Sequence, residues 1–375
     1  MKTPVPGPAR PITMADVAAR AGVSTATVSR VLSDSRPVAP SLREAVLDAA
    51  SALGYQVNLL GRALRKGRTA TVGLLVPDLD NPFFSSLAQH LSTAFEGSAT
   101  DVLIFSAGED LAVERRGVES FLGRQVDAIV IIPCDEIGST DAVLAAAQGT
   151  ATIQLDRQVV GAGIHFVGCD NEVGMALVAQ HVKQHVSMPD QPVIYVGAQA
   201  QSSSGHERYQ YFNTHFPEQP TFLGEFDVAW GQSAVDLILE QGFTRATIVT
   251  AADIIALGVI SGLHVRGYRV PDDFRVIGFD GIGVARLSHP TLTTVRQPVE
   301  EMGRTVLEII SSTSATPGPR TVRLAPEFVV GESSPHIGDT VGGAADPTRV
   351  RSDAEGQPHG RARGAGSSGG LSRSR

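Results

Sequence analysis

Residues 13–33 read TMADVAARAGVSTATVSRVLS, and the fold of the N-terminus turns on them. Thr13 with Asp16 three residues later is a capping pair, and Val17, Ala18 and Ala21 then recur on one helical face. Gly22 closes that helix, because a residue tolerant of positive φ lets the chain turn tightly. Ser24 caps a second helix that opens Thr25-Ala26 and carries Arg30. Two short helices about a glycine turn form a helix-turn-helix unit, whose second helix enters the DNA major groove N-terminus first. The expected DNA-contacting set here is Thr13, Ser24, Thr25, Ala26, Thr27, Ser29 and Arg30. Arg30 has the planar fork that matches guanine O6 and N7, and the methyl groups of Thr25 and Ala26 suit thymine.

Working outward, Ser41 and Glu44 read as a second capping box, with Leu42, Ala45, Val46, Ala49 and Leu53 at helical spacing before Gly54. This third helix would close a small core. Residues 1–68 hold ten Lys and Arg against four Asp and Glu, a net of +6, in a chain whose formal net charge is −8. Such asymmetry beside a helix-turn-helix points to a polyanion partner, since cationic side chains release condensed counterions from double-stranded DNA.

With these motifs the segment resembles the DNA-binding domain of the LacI/GalR family of transcriptional regulators. The resemblance continues through Val57-Asn58, Gly61-Arg62 and Leu64, which stand where the family usually has Pro-Asn, Ala-Arg and leucine. It adds Asn58, Arg62 and Leu64 to the expected DNA contacts, with Leu64 as an apolar wedge that unstacks a base step in the minor groove. A wedge of this kind needs a twin, so the resemblance implies a homodimer on a pseudo-palindromic operator. Gly61 and Val57 depart from the family and weaken hinge-helix propensity, which predicts a hinge disordered off DNA.

From Thr71 to about residue 335, short apolar runs alternate with helical patterns: VGLLV at 72–76, DVLIF at 101–105, AIVII at 128–132, then TIQLD, VIYVG, ATIVT and RVIGF. Val- and Ile-rich runs separated by helices mean parallel strands covered on both faces, a doubly wound α/β body. Ligands bind such sheets at the carboxyl ends of the strands, which directs attention to Asp78–Phe84, Asp156-Arg157, Gln199–Arg208, Ala252-Asp253 and Asp280. The family resemblance runs on through NPFF at 81–84, Asp156-Arg157, Asp170-Asn171, Ala256-Leu257-Gly258, the stretch from Val270 to Asp280, and Pro290–Val295. It implies a two-lobed body of the type I periplasmic-binding-protein kind, with a small molecule between the lobes that tunes DNA affinity. That effector is most often a sugar or sugar derivative, less often a nucleobase or nucleoside.

Carboxylates and guanidinium groups suit paired hydroxyls, and aromatic rings pack on the apolar face of a sugar. By position Asp156, Arg208 and Asp280 match family hydroxyl contacts, and Phe83, Phe84 and Phe226 match cleft aromatic positions. Asp80, Arg157 and Asp253 complete the expected effector set; Ala252 stands where asparagine is common. Tyr211 and Gly331 also depart from the family, which has glycine and arginine there.

The expected organisation is an arm at 1–11, the DNA-binding domain at 12–57, a hinge at 58–70, the body at 71–335 and a Gly/Ser/Arg-rich disordered tail at 336–375. Within the body, one lobe takes about 71–168 and 297–325 and the other about 169–296 and 326–335. The tail lacks the leucine heptads that bundle dimers into tetramers. No apolar run reaches the roughly 20 residues that span a bilayer, and the N-terminus lacks a signal-peptide core, so a cytoplasmic protein is expected. Two cysteines, Cys134 and Cys169, are too few for a disulfide scaffold. His181 and His185 share a helix face without a third ligand, so no metal is expected, nor any cofactor. GxxxxGK[ST], GxSxG and a strand-linked GxGxxG are missing, and Ser203, Ser204 and His206 share one loop without an orienting acid, which argues against an enzyme. The rival class is a solute-binding protein without a regulatory role.

Overall fold

A computed structural model describes residues 10, 12–33, 36–55, 67–98, 100–186, 191–198, 202–312 and 318–336. The hinge residues Asn58, Gly61, Arg62 and Leu64, the expectation of hinge disorder, and the tail beyond residue 336 lie outside them.

The N-terminal helices are α1 (Met14–Ala21), α2 (Thr25–Ser33) and α3 (Pro40–Leu53). Thr13 and Asp16 form the reciprocal capping box, with the Thr13 N–H donating to Asp16 Oδ2 at 2.8 Å, and Gly22 terminates α1 at φ 67°. The Thr13 hydroxyl also donates to Asp16 Oδ2 at 2.6 Å, and it and the Thr13 N–H hold the Asp16 carboxyl below its ordinary value. Ser24 Oγ accepts from the Thr27 N–H at 3.2 Å. The second box does not form. Pro40 occupies the first turn of α3, Ala39 is its cap residue, and no side chain caps the helix, because proline's fixed φ starts the helix before Ser41. Val17, Ala18, Val28, Val31, Val46, Ala49 and Ala50 are buried together as the core of this unit.

The body contains two six-stranded sheets. The first is built from β1 (Thr71–Val76), β2 (Asp101–Ser106), β3 (Ala128–Ile131), β4 (Ala151–Leu155), β5 (His165–Cys169) and β11 (Thr321–Leu324), in the order β11-β5-β4-β3-β1-β2 and parallel throughout. The second has β6 (Val193–Ala198), β7 (Thr221–Gly224), β8 (Ala246–Thr250), β9 (Phe274–Asp280), β10 (Thr293–Arg296) and β12 (Glu327–Val329), ordered β12-β10-β9-β8-β6-β7. Here the parallel expectation fails at one edge, where β12 runs antiparallel to β10. Among the described residues β5, β7, β10, β11 and β12 lie outside the seven apolar runs; the last four have only three or four residues each, and β11 is half exposed.

Helices α4 (Pro82–Phe95), α5 (Leu111–Gly123), α6 (Thr140–Gly149) and α11 (Val299–Ser312) belong with the first sheet, and α7 (Asn171–His181), α8 (Ser203–His215), α9 (Val228–Glu240) and α10 (Asp253–Val265) with the second. Because both faces are covered, β1 and β3 are buried nearly end to end, and apolar residues point both ways along them. The chain passes between the sheets three times, after β5, after β10 and after β11. Cys134 and Cys169 are buried free thiols, each pushed well above the usual thiol range by burial. No described helix is long and apolar enough to cross a membrane.

Candidate functional site

Two regions carry the expected chemistry. On α2, Val28 and Val31 face the core, which leaves Ser24, Thr25, Ala26 and Arg30 exposed and Thr27 and Ser29 half-buried. Thr13 is half-buried in its capping box. One face of the second helix is therefore an open row of a hydroxyl, a methyl and a guanidinium, the set that reads base edges in a major groove.

The second region lies at the carboxyl ends of the strands. Asp156 follows β4 at φ 60° and Asp280 ends β9 at φ 114°, a backbone region that side chains other than glycine's rarely adopt. Both are nearly enclosed, at 5% and 6% exposure, and Arg208 of α8 at 2% lies with them. Arg208 Nη1 donates to Asp280 Oδ1 at 3.1 Å and to the Ala251 carbonyl at 2.8 Å, and its Nε donates to Asn171 Oδ1 at 3.0 Å. The guanidinium lies over the Phe279 ring, 3.9 Å from its centre. Gln297, just after β10, donates to Asp280 Oδ1 at 2.8 Å. Two acceptors in this cluster, Asp156 Oδ1 and Gln297 Oε1, are buried without a donor. Burial, only partly offset by Arg208, pushes the Asp280 carboxyl up to about 6 and raises Asp156 for the same reason.

Beside Asp156, Arg157 is wedged between the lobes. Its Nη1 reaches Glu109 and the Cys134 carbonyl at 3.3 Å, and its guanidinium faces the rings of Phe84 and Phe226 at 5.1 and 5.4 Å. Arg157 and Phe226 line a cavity of about 320 Å³ whose other walls include Asp78, Glu109, Asp135, Gly224 and Asp227. The only tryptophan, Trp230, lies flat on Gly224 and donates its indole N–H to the Gly197 carbonyl at 3.0 Å.

The lobes meet along the first turn of α8. Ser203 Oγ accepts from the Gln158 N–H at 2.8 Å, His206 Nδ1 lies 3.1 Å from Glu136 Oε1, and Glu207 holds Arg323 of β11 through both oxygens at 2.9 and 2.6 Å.

The structure thus brings Asp156, Arg157, Arg208, Phe84, Phe226 and Asp280 to the interlobe region, and it places three expected residues elsewhere. Phe83 is a core residue of the first lobe, edge-on to Phe84. Asp80 is exposed in a turn where its own N–H donates to Asp78. Asp253 is fully buried, and its two oxygens accept from Thr294 Oγ1 and the Ile282 N–H, so it fastens the loop after β9. Gly331 is forced by close approach, since a Cβ there would lie 2.6 Å from the Thr291 carbonyl. Gln297, Asn171 and Glu109 were missed. Inspection of every strand end would have found Glu109 and, had β10 been recognised, Gln297.

A helix-turn-helix unit on a two-lobed binding body defines a DNA-binding regulator, and comparison with known proteins agrees. Residues 13–58 match the family model of bacterial regulatory proteins of the lacI family, and 191–334 the periplasmic binding protein-like domain. The ribose operon repressor of Halalkalibacterium halodurans is 30% identical, covering 78% of this chain and 87% of its own. The HTH-type transcriptional regulator AscG of Escherichia coli is 31% identical, covering 77% and 88%. In fold the chain is similar to the Lac repressor dimer bound to operator and an anti-inducer, with a TM-score of 0.77 at 22% identity over 87% of this chain and 100% of that one. It is also similar to the transcriptional regulator CelR in complex with cellobiose, with a TM-score of 0.63 at 26% identity over 86% and 100%. The chain belongs to the LacI family of bacterial regulatory proteins and is a DNA-binding transcriptional repressor by kinship.

Proposed function

We propose that this protein is a cytoplasmic, non-enzymatic repressor that binds a pseudo-palindromic operator as a homodimer and is controlled by a carbohydrate between its lobes. The observation that carries the effector reading is the buried Asp156–Arg208–Asp280 cluster at the strand ends, with Asp156 Oδ1 and Gln297 Oε1 left without donors. Buried acceptors lacking a partner are costly, and the hydroxyl groups of a polyol supply donors of the right kind. Relatives named for ribose operon repression and a neighbour solved with cellobiose support the same class. Arg30, Thr25 and Ala26 read base edges from the exposed face of α2, and Asn58, Arg62 and Leu64 complete the contact through the hinge. Edge strand β2 exposes Leu103 on one face and Ile104 on the other, and its outer edge is open to a second copy of the chain.

In this mechanism the ligand binds one lobe arrangement better than the other, and the difference sets the geometry of the two hinges. The test is selection of duplexes from a random library with the full-length protein, followed by anisotropy titration with a panel of sugars. An inverted repeat bound far better than its scrambled form, with an affinity that one sugar changes about fivefold or more, is the expected result. No preference for any inverted repeat, with or without sugars, overturns the reading.

A further inference from the structure

The chain enters the body at Gly67–Ala70, and Asp127 grips it there. Oδ1 of Asp127 accepts from the Thr69 N–H at 2.9 Å and lies 3.3 Å from Thr69 Oγ1, and Oδ2 accepts from the Ala70 N–H at 2.8 Å. Thr69 Oγ1 also donates to the Gln125 carbonyl at 3.0 Å, the Asp127 N–H donates to the Thr71 carbonyl at 2.7 Å, and the Ala70 carbonyl accepts from the Asp101 N–H at 2.9 Å. Every polar group of the short entry segment from Thr69 to Ala70 that these bonds involve is thereby fixed to the base of the first sheet.

The backbone there is held in an unfavourable conformation. Six described non-glycine residues have positive φ: Ala70 (53°) and Gln125 (54°) lie in this clamp, Glu109, Asp156 and Asp280 lie at the cleft, and Glu218 at neither. Such conformations persist where surrounding contacts over-determine them, and they concentrate at functional sites. Within the first sheet, the clamp lies at the amino end of β3 and the cleft residues Glu109 and Asp156 follow the carboxyl ends of its fellow strands. Asp127 immediately precedes that strand, whose four residues are all buried, while Cys134 and Asp135 beyond its other end wall the cavity, and the Cys134 carbonyl accepts from Arg157. At about 3.3 Å per residue the four-residue strand itself spans roughly 13 Å of enclosed, close-packed chain, a strut between the two ends.

We propose that Asp127 is the positioning residue that ties the end of the linker from the DNA-binding domain to this strut, so that a change of lobe arrangement at the cleft reaches the linker. The inference rests on the regulatory reading above, and its test separates the two. With the full-length protein and the inverted-repeat duplex obtained by selection, Arg323→Ala, which releases the Glu207 grip between the lobes, is expected to shift the Kd at least fivefold. In an Asp127→Ala background the same change is expected to shift it less than twofold, while the melting temperature of the body and the affinity for scrambled duplex stay as in the parent. A clamp serving only local stability would leave the two changes additive, and additivity overturns the proposal. Hydrogen exchange of the Thr69 and Ala70 amides gives a second readout that needs no DNA. Protection that Asp127→Ala removes and Asp127→Asn partly keeps supports the clamp, and fast exchange in the wild type overturns it. Failure of the wild type to prefer any duplex, with those amides protected, breaks the regulatory reading and leaves the clamp standing.

Discussion

On α2 the side chains proposed to contact DNA stand in water, with Thr25, Ala26 and Arg30 all exposed, whereas in the cleft Asp156, Arg208 and Asp280 are 5%, 2% and 6% exposed and bound to one another or their neighbours. The face proposed to read DNA costs the fold little, because an exposed arginine is solvated whether or not a partner is present. The cleft is the reverse. Its charges have given up water for a few fixed partners, so they are integral to the stability of the body as well as to the ligand recognition proposed for them.

The sharpest way to break this contrast is to remove one charge from each region. Arg208→Ala leaves two buried carboxylates without their cation and is expected to destabilise the body by about 3–5 kcal/mol in urea unfolding. Arg30→Ala, on an exposed surface, should leave the same measurement within about 0.5 kcal/mol. Equal effects would end the distinction.

Acid titration sharpens it next. Folding holds the Asp280 carboxyl at about 6 against an ordinary value of 3.8, so the native state keeps a proton that the unfolded chain releases. The stability this group contributes is full below pH 3.8 and is lost as pH rises through about 6. At 1.36 kcal/mol per unit the effect is at most about 3 kcal/mol. Urea midpoints measured between pH 4.5 and 7.5 are expected to fall with rising pH, less steeply in Asp280→Asn. An equal slope in that variant would assign the dependence to other groups.

On the DNA side, Arg30→Ala should cost about 1–3 kcal/mol of discrimination between selected and scrambled duplexes while preserving salt-dependent binding to both. Anisotropy titrations at two salt concentrations check this, and unchanged discrimination removes Arg30 from the reading face. The smallest effect concerns the capping box. Thr13→Ala should lower the stability of the three-helix unit by about 0.5–2 kcal/mol, read from amide exchange in α1.

The same contrast explains what the sequence discloses. The first capping box was legible because its signals lie within three residues of each other, and Gly22 announces its turn locally. Ser41 and Glu44 misled because Pro40 outranks them in starting α3. Seven apolar runs were enough to give the α/β class, yet the three- and four-residue strands β7, β10, β11 and β12 carry too little pattern to be seen. In the cleft, the strand-end rule located Asp156 and Asp280, but pairing is a long-range matter. Arg208 and Asp280 stand 72 residues apart, and Asp253 and Thr294 stand 41 apart. No local signal separates the aspartate that pairs with Arg208 from the one that fastens a loop.

Trp230 rests its indole on Gly224, whose backbone forms part of the cavity wall, and it has no second tryptophan to blur it. The protein therefore carries its own dye at the edge of the proposed effector site. A compound that enters, or a shift of the wall that accompanies it, will alter the colour and intensity of the ultraviolet emission, so candidate metabolites can be screened in a cuvette before any operator is known.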